Sequence, residues 1–301
     1  MDIRCVDIHA HAYRIPVPFP VQFCTAEELI GLYDREGIEK GALLPIVSPE
    51  IYSPQSNEDI LEMAAKWPDR FFAFCNIDPR QLTNSADAPL DTVIRHYKDK
   101  GCRGIGEIMP NLPMRHPLVQ NLFKCAEAVG GMPVTWDNSD WPAEDFGLQD
   151  DPGLPQLEHS LQRFEKLDFI AHGLGFWTEI GRLDRPALRK TVFKPTGEQV
   201  GFCAPEGKVT EEGVAVQLLR KYPNLYGELS DACPALKRDE EFGAKFLDEF
   251  QDRLFYGSDP CSAAAEFPTL ALLKDWRKRN LVAEAAYRKI VRDNAIRFFA
   301  L

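Results

Sequence analysis

Short apolar runs recur along the chain, and between them lie segments whose apolar positions repeat at helical spacing. The first run, Arg4 to His11, alternates Val6, Ile8 and Ala10 with Asp7, His9 and His11, which predicts a strand with one apolar and one polar face. Thr25-Ala26-Glu27-Glu28 has the form of a capping box and opens an amphipathic helix to Glu36. A strand at Gly41–Val47 and a helix from Asn57 to Trp67 follow, the latter stopped by Pro68, whose nitrogen carries no hydrogen to continue the ladder. Further strands are expected at Phe71–Ile77, Cys102–Ile108, Met132–Asp137, Asp168–His172, Asn224–Ser230 and Arg253–Asp259. Helices are expected at Leu90–Lys100, Pro117–Val129, Leu157–Leu167, Glu211–Tyr222, Glu241–Phe250, Thr269–Lys278 and Ala283–Phe299.

Strands alternating with helices in this way over 301 residues predict an α/β fold, a single (β/α)8 TIM barrel over 1–301. An open doubly wound sheet shares the alternation, but His9-Ala10-His11 stands where its glycine-rich phosphate turn would follow the first strand. The long connection 180–208 reads as a lid-like insertion.

Composition narrows the class. With 45% hydrophobic and 27% charged residues the chain is a soluble globular protein with ample core material. A net charge of −11 and the lack of a long basic run speak against nucleic acid or a membrane surface as partner. No leader pattern opens the chain and no apolar stretch suits a membrane span, so a cytoplasmic location is expected. The eight cysteines stand singly, with no CxxC pair to signal a zinc knuckle or a dithiol motif.

A barrel of this kind carries its chemistry at the C-terminal strand ends. There the chain places His9 and His11, Asn76 and Asp78, Glu107, Asp137, His172, Glu228 with Ser230, and Ser258 with Asp259. Closure would bring Asp259 beside the two histidines, and two imidazoles with a carboxylate form a divalent-metal ligand set with open positions. His172, where an apolar strand runs into a glycine turn, is a further ligand or the acid/base. Glu107 can serve the site or pair with Arg103, while Asp137 and Glu228 can serve it or cap the following turn. His96, His116 and His159 fall on or before helices and are expected at the surface.

Asp7-Ile8-His9-Ala10-His11, Ala171-His172-Gly173-Leu174-Gly175, Leu254-Phe255-Tyr256-Gly257-Ser258-Asp259 and the terminal Ile290–Phe299 segment together resemble the metal-dependent amidohydrolase superfamily. The likeness is to its amidohydrolase-2 branch, which also holds the aminocarboxymuconate semialdehyde decarboxylase type of enzyme. It implies His9, His11 and Asp259 as metal ligands and His172 as ligand or acid/base. The branch's strand-five histidine is missing, because Pro133-Val134-Thr135-Trp136 leads to Asp137. Either Asp137 takes its place or Glu107 completes the shell, in a setting similar to the strand-four glutamate of TatD-type hydrolases. One Zn²⁺ or Mn²⁺ is expected, the carboxylates tilting the site toward the harder metal.

The expected activity is metal-assisted hydrolysis of a small, carboxylate-bearing molecule. Asp259 would take the proton of water, His172 would polarise the carbonyl or protonate the leaving group, and Asp7 would orient His9. A non-oxidative decarboxylase or hydratase on the same site is the competing enzyme, and a metal-free ligand-binding barrel the competing non-enzyme. Within 180–208, six basic residues stand against three acidic ones, so Arg182 and Lys194 could receive a carboxylate. Trp136 and Trp177 are expected to line the mouth, and a homodimer is the default assembly.

Overall fold

The computed structural model describes residues 3–15, 22–50, 55–140, 146–182, 192–193, 199–200 and 207–301. Eight strands form its centre: β1 (Cys5–Ala10), β2 (Ile38–Leu43), β3 (Phe71–Ala73), β4 (Ile105–Ile108), β5 (Val134–Asp140), β6 (Phe169–His172), β7 (Leu225–Glu228) and β8 (Leu254–Phe255). All pairings between them are parallel, β1 to β2 to β3 on one side and β4 through β8 in order on the other. Two seams join these halves. At the first, Cys75 N donates to Gly104 O (3.0 Å) and Gly106 N to Cys75 O (2.8 Å). At the second, Ile8 N donates to Tyr256 O (3.0 Å) and Asp259 N to His9 O (2.9 Å), which closes the barrel.

The helices follow local chemistry. Thr25 Oγ1 accepts from Glu28 N (3.2 Å) while Glu28 Oε2 accepts from Thr25 N (2.8 Å), so two of the orphan donors at the helix start are satisfied reciprocally. Gly37 ends that helix at φ 77°, a left-handed conformation open to glycine. The third expected barrel strand loses regular pairing at Ala73 and continues as a single bridge at Cys75, while β2 starts earlier and stops before Pro45. The helix expected at Leu157–Leu167 instead runs Pro155–Arg163, with proline in the first turn where no N–H is needed. The closing helix widens into a π turn at Lys289–Asp293, where Tyr256 N takes the Ile290 carbonyl. Of the 180–208 insertion, 183–191, 194–198 and 201–206 lie outside the described residues; Val192–Phe193 and Gln199–Val200 pair as an antiparallel ribbon.

Alternation sorts the strand residues into two cores. Val6, Ile8, Ala42, Leu44, Phe72, Phe74, Ile170 and Phe255 fill the lower barrel interior, and Ala295 and Phe299 of the closing helix seal it from below. Cys5, Ala10, Phe71, Ala73, Val134, Trp136, Phe169 and Ala171 face the helices in the larger core. On β1 this alternation breaks. The register to β2 shifts between Asp7 and Ala10, so Asp7 points out toward Tyr33 of the first helix while His9 and His11 reach the interior. The expectation that Asp7, His9 and His11 share one face therefore fails, because a bulge resets the parity.

Asp7 has a different task from orienting the His9 ring. Its Oδ1 accepts from the backbone N–H groups of His9 (3.0 Å) and Ser258 (3.0 Å), and its Oδ2 accepts from the hydroxyls of Tyr33 (2.7 Å) and Ser258. It thus ties β1, the segment after β8 and the first helix together. Burial pushes its carboxyl up to about 6, although the donors from Ser258, His9 and Tyr33 pull the other way. Unfolded, Asp7 ionises near pH 4; folded, near pH 6. Its contribution therefore weakens stability as pH rises through that window, by about 3 kcal/mol in all. Urea unfolding with chelator present should show the wild type losing about that much relative to Asp7→Asn between pH 4 and 7. A pH-independent difference would mean that Asp7 titrates as an ordinary surface aspartate.

Candidate metal centre

His9 and His11 reach the barrel mouth from β1, Glu107 from β4, Asp137 from β5, His172 from β6, Glu228 from β7, and Asp259 from just past β8. Their placement depends on small residues alongside. A Cβ on Gly106 would strike Thr135 of the neighbouring strand, and one on Gly257 would strike the Glu228 carboxylate. Asp259 adopts a left-handed backbone (φ 43°), a conformation Asp tolerates better than most residues. Asn76 Nδ2 donates to Pro45 O (3.0 Å) and to the Glu107 carbonyl, which steadies β4 at the glutamate.

Four donor atoms converge. His9 Nε2 lies 3.2 Å from His11 Nε2, 3.3 Å from Glu107 Oε2 and 3.8 Å from Asp259 Oδ1. His11 Nε2 lies 3.4 Å from Glu107 Oε2 and 3.1 Å from Asp259 Oδ1. Donors about 2.1 Å from a shared ion stand roughly 3.0 Å apart at right angles and roughly 3.4 Å apart at the tetrahedral angle. His9 Nε2, His11 Nε2 and Asp259 Oδ1 fit one divalent cation, with Glu107 Oε2 beside both imidazoles. His11 Nδ1 is 2.8 Å from the Leu44 carbonyl; donating a proton there leaves its Nε2 lone pair for the ion.

A second constellation adjoins the first. His172 Nδ1 is 2.8 Å from Glu228 Oε2 and 3.0 Å from Ser230 Oγ, and Ser230 Oγ also donates to Glu228 Oε2 (2.9 Å). Its Nε2 lies 3.4 Å from Glu107 Oε1 and 3.9 Å from Asp231 Oδ2. Glu228 Oε2 is also 3.2 Å from His9 Nδ1, a nitrogen with no hydrogen bond of its own. The histidine side chains are 1 to 3% exposed, whereas Asp259 is 23% and Asp231 32% exposed, so carboxylates form the solvent-facing lip.

The charges oppose burial. Burial and His172 both push the His9 imidazole down, yet Glu107 and Glu228 hold it up at about 10. Burial likewise disfavours charge on His11 and His172, and Asp259, Glu107 and Glu228 overcome it. Burial pushes Glu228 up, but His172 and His9 bring it down to about 2. Without a cation, protons shared between imidazoles and carboxylates would hold these groups together.

The strand-end reading brings together His9, His11, Glu107, His172 and Asp259, with Asp137 beside them. It left Glu228 open between the site and a turn cap, and the carboxylate does both, its Oε2 bonded to His172 and its Oε1 accepting from Ser230 N (2.6 Å); Asp231 it missed altogether. Trp136 and Trp177 are corrections: both are fully buried, because strand parity turns Trp136 toward the helices and Trp177 packs against Phe176 and Phe246. Trp177 Nε1 instead holds the Glu228 carbonyl from behind (2.9 Å). Arg182 is exposed and pairs with Glu211, while Lys194 lies outside the described residues. His116 caps the helix Pro117–Val129, its Nδ1 accepting from Leu118 N (3.3 Å).

The family model described as amidohydrolase matches residues 6–301, and the chain belongs to that family of enzymes. No curated protein matches it. Solved structures show the same fold. A probable 2-pyrone-4,6-dicarboxylic acid hydrolase from Acinetobacter baumannii, with citric acid bound, has 15% identity and a TM-score of 0.63, covering 99% of this chain and 100% of that one. A 5-carboxyvanillate decarboxylase from Novosphingobium aromaticivorans, complexed with manganese and a nitrobenzoic acid, has 15% identity and a TM-score of 0.61, covering 99% and 96%. A 2,6-dihydroxybenzoate decarboxylase from Rhizobium has 17% identity and a TM-score of 0.55, covering 99% of each chain. Among the described residues no helix is long and apolar enough to cross a membrane.

An ion must displace the shared protons. Adding Mn²⁺ to chelator-treated protein at pH 8 should release protons, seen by calorimetry in buffers of different ionisation enthalpy. His9→Ala together with His11→Ala should lower the metal that survives desalting by about one ion per chain. Unchanged metal content would refute the ligand assignment.

Proposed function

We propose that this enzyme is a metal-dependent hydrolase acting on a small, carboxylate-bearing substrate. The observation that carries the reading is the convergence of His9 Nε2, His11 Nε2 and Asp259 Oδ1, 3.1 to 3.8 Å apart, at the open end of the barrel, with Glu107 Oε2 at 3.3 and 3.4 Å from the two imidazoles. A divalent cation held there supplies Lewis acidity toward an oxygen of water or substrate. Two carboxylates among four donors favour Mn²⁺ over Zn²⁺.

Asp259 is the most exposed of the four donors and so the group placed to take a proton from the attacking water. Glu228 and Ser230 hold His172 by Nδ1 and leave Nε2 toward the cleft, where it stabilises negative charge developing on the substrate carbonyl. A carboxylate on the substrate agrees with the acids bound to the Acinetobacter and Novosphingobium proteins. The basic 180–208 segment, with Arg182 and Lys194, is the proposed receiver of that carboxylate and the proposed lid.

Decarboxylation is the second reading, favoured by the shared fold of the two decarboxylases. Product analysis on a panel of carboxylated lactones, amides and aromatic acids separates the two. Oxygen from labelled water should enter the product without release of carbon dioxide; carbon dioxide release would transfer the assignment to decarboxylation. Glu228→Gln should lower kcat/KM by about 10 to 100-fold, mostly in kcat, because it loosens the hold on His172 without touching the substrate. A purely structural Glu228 would instead show in thermal stability with kcat unchanged.

A further inference from the structure

The end of the barrel opposite the mouth carries a basic cleft that the chemistry above does not use. It has a volume of about 410 Å³ and lies where the closing helix ends at Ala300 and Leu301. One wall is apolar, made by Leu61 and Ala64 of the helix Asn57–Lys66 and by Phe71 of β3. Lys40, Lys100 and Arg103 border it, and no acidic side chain of the described residues does. We propose that this cleft binds a small organic anion, a carboxylate or phosphate group carried on an apolar body.

Local structure brings the three cations together. Lys40 stands on β2 in the same alternating row as Ala42 and Leu44, whose side chains fill the lower interior, so this parity sends its stem to the lower rim. Lys100 and Arg103 sit on the short turn between the helix Leu90–Asp99 and β4. That turn is fixed: Gly101 takes φ 100°, and Arg103 N donates to Ala73 O (2.8 Å) on β3. The backbone therefore holds the cations in place before any ligand arrives, which lowers the ordering cost of binding.

Charge makes the same case independently. Two basic residues on neighbouring segments have partners, Arg70 pairing with Asp34 (2.9 Å) and Arg292 with Glu39. Lys40, Lys100 and Arg103 have none. Among the described residues their side chains make no hydrogen bond or ion pair, not even with Leu301 at the edge of the same cleft. Three unpaired positive charges against a low-dielectric wall, in a chain of net charge −11, reverse the potential locally and favour an anion. The wall sets the rest of the ligand: an anionic head meets the ammonium and guanidinium groups, and an apolar body covers Leu61 and Phe71.

The two ends of the barrel thus differ in sign, since the mouth presents Asp231 and Asp259. An anion seated below would clamp β2, β3, the turn before β4 and the end of the closing helix, and so stabilise the folded barrel without reaching the mouth.

The test uses the full-length protein with 2-naphthoate and 2-naphthyl phosphate as probes and inorganic phosphate as the body-free control. Calorimetry should find one site for at least one naphthyl probe, retained in His9→Ala with His11→Ala, and the tighter probe identifies the head group. A hundredfold excess over Kd should raise Tm by roughly 4 °C. Inorganic phosphate should bind about tenfold more weakly or worse, because it leaves the wall wet. Lys100→Glu with Arg103→Glu, both exposed, should weaken the naphthyl site by about tenfold or more, and Ala65→Trp, which fills the cleft, should do the same. In the wild type alone, raising salt from about 50 to about 500 mM should weaken it several-fold. No binding of either naphthyl probe overturns the proposal, as does a site lost with His9 and His11, unchanged in both cleft variants, or insensitive to salt. Equal affinity for inorganic phosphate overturns the ligand class. The salt series and the phosphate comparison depend on no variant folding.

Discussion

The backbone bond from Asp259 N to His9 O is the constraint on which the site depends. It joins the first and last barrel strands, about 250 positions apart in sequence, and with Ile8 N to Tyr256 O it turns a row of strands into a closed wall. Only after closure does the Asp259 carboxylate stand beside the two imidazoles. The buried Asp7 carboxylate secures the same junction from the outer side, gripping the backbone of both partners and the hydroxyl of Tyr33. The candidate metal donors and the structural closure therefore share one seam, and loosening either disturbs the other.

The mouth shows how a protein keeps ionisable groups out of water. Burial alone would neutralise His9, His172 and Glu228, and each is kept charged by a neighbour of opposite sign. Such an arrangement contributes little net stability, since desolvation offsets much of the attraction. Its benefit is readiness: lone pairs already aimed inward would need no large rearrangement were a cation to replace the protons.

Much of this was legible in the residues. The barrel followed from alternating strand and helix patterns, and His9, His11, Glu107, His172 and Asp259 were legible because barrel chemistry gathers at strand ends. What failed to show was anything set by parity or by partners across the barrel. The β1 bulge is a one-residue irregularity with no glycine or proline to announce it, so Asp7 was assigned to the wrong face. Trp136 and Trp177 were placed at the mouth by proximity in sequence, but strand parity and packing bury both. Glu228 looked like any strand-end carboxylate until the fold brought His172 to it; the small Gly257 on the adjoining segment, which makes room for it, was the one hint in the sequence.

The stopper at the other end has a consequence for traffic. Phe72, Phe74, Phe255 and Phe299 pack the lower interior solid, so the barrel is a cup rather than a tube. Among the described residues of the mouth, Asp231 and Asp259 are the exposed carboxylates beside the imidazoles, so a molecule arriving from that end passes them. With the lower end packed, traffic at the mouth would run both ways past these carboxylates, whose charge would repel an arriving acid and speed a departing one.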